Sequence, residues 1–275
     1  MQTLTFLILA CCSKFYLKIL FLIPSSQIII IQNLLYIIKI MENKFELKKF
    51  IKAELSGWNK FEVGFLILIY TIVTLNAIIL KDNPFAVTAA ICGATATMTA
   101  GKGKVSCYIF GIFGTLCYSY MSLIHHVYGN FLLNIAYYFP MQFFGIFEWM
   151  KNLNPETQEI IKRKLSKKDF IIISIITTII IAITTYILYL LKDVNPLFDA
   201  ITTILSILGL YFTVKRFAQQ WIVWAIVNGL TLTMWIKIVL NGQKAYSTVV
   251  MWAAYFVIGI YFLIKWYKEL SSKEQ

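Results

Sequence analysis

Eight long apolar segments limit what this chain can fold into. They lie near residues 61–80, 84–100, 105–124, 130–149, 170–191, 198–214, 221–240 and 246–265. Each holds roughly 17–22 residues, which at about 1.5 Å per helical residue crosses the roughly 30 Å hydrocarbon core of a bilayer. A membrane β-barrel would need alternating segments of about ten residues, and this pattern is absent from the sequence. We therefore expect an all-α polytopic membrane protein.

The placement of the positive charges predicts the orientation of these spans. The net charge is +12, and beyond residue 60 most Lys and Arg residues follow the second, fourth and sixth spans or lie in the tail. Since positive loops stay on the cytoplasmic side, this predicts that residues 42–60 and the C-terminus are cytoplasmic. The charges report topology, so we expect no nucleic-acid partner. We expect the protein to span a bacterial inner (plasma) membrane.

The first 60 residues differ from the rest of the chain. Residues 1–40 are apolar but interrupted by charged residues and Pro24, and Met41 opens the sequence MENKFELKKF. An extra hairpin, a signal peptide and an over-extended start are possible, although no small-residue cleavage site follows. We favour translation from Met41, with 1–40 not native. Residues 42–60 form a charged amphipathic segment.

An unusual stripe of side chains runs along the seventh span. At about 100° per residue, Trp221, Trp224, Asn228 and Trp235 fall on one side of a helix. An interfacial aromatic belt accounts for Trp221 and Trp235 near the span ends. It does not account for Asn228 at mid-depth or for Trp224 one turn away. We infer that this stripe lines a path for a small, flat, polar solute.

Two other spans carry polar residues at depth. On 130–149, Asn134, Tyr138, Gln142 and Trp149 fall within a stripe about 80° wide, and the deep Gln142 amide needs a partner helix or a solute. Asp199 is the carboxylate inside the late spans. It is either functional or stabilised by the helix dipole after Pro196.

The sequence gives no indication of catalysis or of a metal site. It contains no nucleophile–base pair, no HExxH and no paired carboxylates, and its five cysteines form no CxxC. The adjacent His125 and His126 are badly placed to chelate a metal. We expect no enzyme activity, no catalytic residues, no metal and no cofactor.

The chain also contains an internal repeat. Tyr138 and Trp149 have the same spacing as Tyr255 and Trp266, and in each case a polar span and a Gly- or Trp-rich span come before. This defines two three-span units, 84–149 and 198–267, separated by 170–191 and preceded by an extra span, 61–80. A shift by four spans keeps the direction, so the repeats are parallel. Such repeats hold a solute at their interface.

Three stretches resemble the PnuC family of bacterial vitamin-precursor transporters. They are YYFPMQFFGIFEWMKN (137–152), LFDAITTILSILGLYFTVKRF (197–217) and QQWIVWAIVNGL (219–230). The resemblance implies a 3+1+3 core related to the SWEET architecture, with 61–80 as an extra N-terminal helix. It also implies facilitated diffusion of nicotinamide riboside, trapped inside by a cytoplasmic kinase.

The resemblance also implies roles for individual residues. Trp221, Trp224 and Asn228 would bind ring and sugar, Gln142 would supply an amide closed by Trp149, and Asp199 matches an acidic position that opens a span. With Tyr138 and Asn134, these are the predicted substrate-binding residues. Ile146 replaces a frequent aromatic residue, so thiamine or riboflavin stays an alternative cargo. A proton-coupled carrier using Asp199, a scaffold protein and a homo-oligomer also stay open.

Overall fold

The computed structural model describes residues 44–192 and 195–272, with side chains from residue 48 onward. Its helices are α1 (Lys44–Leu55), α2 (Lys60–Ile79), α3 (Pro84–Lys102), α4 (Ser106–Ile124), α5 (Tyr128–Leu133), a π-helical segment (Asn134–Tyr138), α6 (Phe139–Met150), α7 (Lys167–Leu190), α8 (Pro196–Val214), α9 (Gln220–Leu240) and α10 (Tyr246–Ser271). The predicted start at Met41 lies outside the described residues. Residues 53–272 belong to one compact unit.

All eight predicted spans form helices. Six of them, α2, α4, α7, α8, α9 and α10, are long and apolar enough to cross a membrane, which confirms a multi-pass helical chain within the described part. Helix α3 is rich in Ala, Gly and Thr because it lies inside the bundle, where small residues let neighbouring helices approach. The predicted span 130–149 is divided among α5, the π-helical segment and α6. That α3 and the predicted span 130–149 also cross the membrane stays a prediction.

Local signals in the sequence fix several helix ends. The Asn59 side chain accepts the Glu62 N–H and the Glu62 side chain accepts the Asn59 N–H, a reciprocal cap that starts α2. Pro84 and Pro196 each occupy the first position of a helix, where the missing N–H is not needed. Gly103 ends α3 with a φ of 74°, a left-handed conformation that favours glycine.

The π-helical segment follows from a proline. Pro140 is the second residue of α6 and has no N–H to donate, while the Phe139 N–H bonds back to the Asn134 carbonyl, five residues earlier. The wider turn rotates Asn134 and Tyr138 relative to a regular helix. Both side chains then face the interior.

Helix α7 lies at the edge of the bundle and packs mainly on α8. The centrally placed α3 packs on α2, α4 and α10, whereas α8 packs on α7, α9 and α6. The apolar side chains of α7 are mostly exposed, as expected of a helix that faces lipid.

One end of the bundle carries most of the described Lys and Arg residues, and we call it the basic end. It contains the α3–α4 turn, the α8–α9 turn and the segment 151–166. Backbone hydrogen bonds join them, from Ile160 N–H to the Gly103 carbonyl and from Arg163 N–H to the Arg216 carbonyl, each 2.9 Å long. Arg216 lies in the α8–α9 turn, and burial there lowers the pKa of its guanidinium.

Candidate functional site

The bundle encloses a cavity bounded by α3, α4, the π-helical segment, α6, α8, α9 and α10. It contains about 950 Å³ of space free of protein atoms, part of it open to the outside. Among the described residues that line it, none carries a charge at neutral pH. The cavity therefore suits a small solute without strong negative charge.

Six of the eight residues predicted from the sequence line this cavity. They are Asn134, Tyr138, Gln142, Trp221, Trp224 and Asn228. These side chains come from two stripes that are far apart in the chain, and the fold brings both stripes to one space. Their contact with a solute stays a prediction.

The Trp224 indole forms part of the wall. Its Nε1–H donates to the Thr213 Oγ1 at 2.9 Å, and the Tyr138 ring meets it edge-on at a centroid distance of 6.2 Å. Gly209 lies behind the indole, where an added Cβ would come within 3.0 Å of the ring. Contacts with three residues hold the indole in place beside the cavity, ready to stack on a planar solute.

Asn228 and Gln142 supply the amides of the site. Asn228 is 3% exposed, and its carboxamide has no hydrogen-bond partner in the described part of the chain. The Gln142 Nε2 donates to the Thr115 Oγ1 at 3.3 Å, and its side chain leans over Gly111, where an added Cβ would lie 2.6 Å from Oε1. A buried amide without a partner is unfavourable, so the cavity requires water or a polar solute beside Asn228.

Two predicted residues do not line the cavity. Trp149 is fully buried, donates its Nε1–H to the Thr213 carbonyl at 3.0 Å, and meets the Tyr108 ring edge-on. Asp199 is partly buried in the first turn of α8, at the opposite end from the α8–α9 turn. Both roles in binding stay predictions, and the Trp149 indole stands behind the wall that Tyr108 forms.

Several lining residues were not predicted. They include Tyr108, Tyr118, Gln220, Trp252 and Tyr255. Tyr255 occupies the position in the predicted second repeat that Tyr138 occupies in the predicted first, so the sequence match between them already contained that signal. Gln220 precedes Trp221 and lies about 100° off the stripe, so a stripe criterion misses it.

Within the described part of the chain, four of the lining residues carry buried polar groups without a hydrogen-bond partner. They are the Tyr108 hydroxyl, the Gln220 Nε2, the Trp221 Nε1 and the Trp252 Nε1. Buried donors are almost always hydrogen-bonded in proteins. Water, or hydroxyl and carbonyl oxygens of a solute, would satisfy these groups if the cavity walls move to let them approach.

Aromatic side chains close the cavity at the end away from the basic end. The Tyr118 hydroxyl accepts the Trp235 Nε1–H at 2.9 Å and the Asn130 Nδ2–H at 3.2 Å. His125 meets the Trp235 ring edge-on and hydrogen-bonds the Gln243 side chain. This cluster joins the α4–α5 region to the α9–α10 region.

Comparison with known proteins identifies the chain as a transporter. The family model described as nicotinamide mononucleotide transporter matches residues 83–268. The nicotinamide riboside transporter PnuC of Neisseria mucosa is 29% identical over 239 residues, which cover 84% of this chain and 90% of that protein. The nicotinamide riboside transporter PnuC of Haemophilus influenzae is 25% identical over 215 residues, 78% of this chain and 92% of the relative.

A solved structure has the same fold. It is described as the crystal structure of the vitamin B3 transporter PnuC, with a TM-score of 0.73 and 27% identity over 80% of this chain and 96% of that one. These relatives are transporters, which confirms the prediction that the protein is not an enzyme. Since the family model spans more than half of the sequence, the chain belongs to the PnuC family of membrane transporters.

Proposed function

We propose that the protein carries nicotinamide riboside, or a closely related vitamin precursor, across the membrane by facilitated diffusion. The observation that carries the proposal is the cavity in which Trp224, Asn228 and Gln142 meet. An indole face and two carboxamides match a planar ring that bears a carboxamide.

The charge of the cavity supports the riboside as cargo. The pyridinium ring of nicotinamide riboside is positive, and a cation over an aromatic face is stabilised by about 0.5–2 kcal/mol. A nucleotide adds a phosphate, which would enter a cavity whose described lining is uncharged. Removing a phosphate from water without a cationic partner is very unfavourable. The riboside is thus the better fit.

The unpartnered donors extend the argument to the sugar. Tyr108, Gln220 and Trp221 line the cavity, and each has a buried O–H or N–H group without a partner among the described residues. Ribose hydroxyl oxygens would satisfy such donors. Thiamine and riboflavin are planar too, and they stay the alternative cargoes.

Internal symmetry supports a 3+1+3 core with repeats at 84–149 and 198–267. Trp149 on α6 donates to the Thr213 carbonyl near the end of α8, and Trp266 on α10 donates at 2.6 Å to the Gly101 carbonyl near the end of α3. Each proposed repeat thus places the Trp of its third helix on the first helix of the other. Rocking of one repeat against the other would expose the cavity on alternate sides.

The proposed setting is a bacterial inner membrane with the basic end in the cytoplasm, as the positive-inside rule requires. A cytoplasmic kinase would phosphorylate the riboside and trap it, because the phosphorylated product no longer fits the neutral cavity. Residues 61–80 would form the extra N-terminal helix, and 170–191 the linker helix. Assembly into a homo-oligomer stays a prediction.

Uptake into proteoliposomes tests the transport mode. We expect saturable uptake of labelled nicotinamide riboside without any ion gradient. The rival is a proton-coupled carrier with Asp199 as relay, and the position of Asp199 away from the cavity lining favours uniport. We therefore expect Asp199→Asn to leave the rate and its pH dependence unchanged. If uptake requires a proton gradient in the parent and no longer requires it in Asp199→Asn, the protein is a proton-coupled carrier with Asp199 as relay.

A further inference from the structure

A buried carboxylate at the basic end joins two helices that belong to different proposed repeats. Glu62, in the first turn of α2, is 0% exposed. Its Oε2 lies 2.7 Å from the Lys102 Nζ on α3, and its Oε1 lies 2.9 Å from the Lys265 Nζ on α10. The Tyr261 hydroxyl donates to the same Oε1 at 3.3 Å.

The residues around Glu62 bind the α3–α4 turn at several further points. We call residues 53–62 the N-terminal latch. The Lys102 ammonium also donates to the Gly57 carbonyl at 2.5 Å, and the Lys104 ammonium donates to the carbonyls of Ala53 and Ser56. Both lysines are buried, so the GKGK turn of the sequence is a binding surface for the latch.

Glu54 completes the latch on the other side of the turn. Its carboxylate accepts the backbone N–H groups of Val105 and Ser106 at 3.0 and 3.3 Å, at the start of α4, where helices favour negative charge. Burial raises the pKa of the Glu54 carboxyl, and burial also lowers the pKa of the Lys104 ammonium. Hydrogen bonds from Ser106 and Val105 oppose the shift of the Glu54 pKa, and the negative charge of Glu54 opposes the shift of the Lys104 pKa.

The other interface between the proposed repeats, between α6 and the end of α8, has an ion pair without a carboxylate from a third helix. There Glu148 on α6 pairs directly with Lys215, just after α8, at 3.3 Å. Glu148 precedes Trp149 in the sequence as Lys265 precedes Trp266. At this matched position α10 carries Lys265 in place of a carboxylate. Lys102 on α3 and Lys265 on α10 are both positive, so a carboxylate from a third helix is needed to pair with them.

We propose that Glu62 is a positioning residue of the transport cycle, which holds the basic end of the cavity closed by bridging Lys102 and Lys265. Ala100 lines the cavity and lies two residues before Lys102 on α3. Opening a path between α3 and α10 must separate one lysine from Glu62, and a buried ion pair resists losing one partner. The inference rests on the proposed transport cycle.

Cys107 gives a reporter for the basic end. It lies in the first turn of α4, lines the cavity and is buried, so a thiol reagent added at the basic end should modify it faster when that end opens. The test uses full-length protein in which the other four cysteines are replaced by Ala. The measured quantity is the rate at which a small water-soluble methanethiosulfonate modifies Cys107.

The deciding variant is Lys265→Met, which breaks the bridge to α10 and leaves the pair of Glu62 and Lys102 intact. Lys265 is partly exposed, so the substitution should not prevent folding. We expect it to raise the modification rate about tenfold, as would a loss of about 1.4 kcal/mol from the closed state. Glu62→Gln should raise the rate at least as much.

Moving the carboxylate from α2 to α10 distinguishes a specific role of the Glu62 bridge from a general destabilisation of the basic end. In Glu62→Gln combined with Lys265→Glu, α10 carries its own carboxylate, as α6 does, and the rate should return to within about twofold of the parent. The inference is overturned if Lys265→Met leaves the rate within twofold of the parent, or if the transposition fails to lower it. Modification needs no solute, so failure of riboside binding would reject the proposed cargo and leave this result intact.

Discussion

At the scale of single residues, Asn228 is the side chain whose surroundings most strongly indicate a ligand. It is nearly fully buried in a membrane bundle, yet its carboxamide has no partner among the described residues. Sequence analysis identified it from depth and stripe alone. It could not show that Gln142 is already bonded to Thr115, because that contact depends on how α4 and α6 pack.

Substitution of Asn228 by Leu should weaken binding of nicotinamide riboside and leave the fold intact. The variant removes an unpartnered amide, so stability should hold or rise, while a lost hydrogen bond to a solute weakens binding by about 0.5–1.5 kcal/mol, or roughly 2–13-fold. Titration calorimetry of the purified proteins measures this. The control Asn241→Leu alters an exposed amide in the α9–α10 turn and should bind as the parent does.

At the scale of elements, the π-helical segment sets the geometry of the site. Helical periodicity in the sequence placed Asn134, Tyr138 and Gln142 on one stripe, and all three line the cavity. The π turn itself was not predicted, because an apolar helix with one proline is compatible with a kink, a break or a wide turn. For the same reason the sequence placed one continuous span where α5, the π-helical segment and α6 lie.

Replacing Pro140 by Ala should disturb the site through the helix. The new N–H can bond four residues back, which favours a regular α-helix and rotates Asn134 and Tyr138 by up to about 100° relative to Gln142. We expect the KM for riboside uptake to rise about fivefold or more, with unchanged or higher thermal stability. Pro155→Ala, in the exposed loop of the basic end, is the matched control. An unchanged KM would show that the segment does not position the site.

At the scale of the whole molecule, the periodicity of the apolar segments was enough to predict the bundle. A further repeat signal was missed: LKDNPF (80–85) and LKDVNPLF (191–198) each lead into the first helix of a proposed repeat. The side-chain contacts between the two proposed repeats could not be predicted from the sequence. The buried bridge of Glu62 depends on α2, α3 and α10 converging, and a sequence gives no distance between an extra helix and the core.

Comparison of ligands tests which cargo the whole cavity fits. A solute that binds only the folded protein stabilises it by RT ln(1 + [L]/Kd), so the melting temperature reports affinity. We expect nicotinamide riboside to raise the melting temperature more than thiamine or riboflavin at equal concentration. The nucleotide should have the smallest effect, because the cavity lining offers its phosphate no cation among the described residues. A larger shift with thiamine or riboflavin would reassign the cargo.

The proposed transport requires a planar solute to stack on Trp224 inside the cavity, and calorimetric titration of Trp224→Ala with nicotinamide riboside measures that contact. Stacking of a base on an aromatic side chain contributes about 1–3 kcal/mol, so the dissociation constant should rise about 5–150-fold. Trp224→Phe, which keeps an aromatic ring, should recover most of the affinity. Equal affinity of the parent and Trp224→Ala for the riboside would contradict the account.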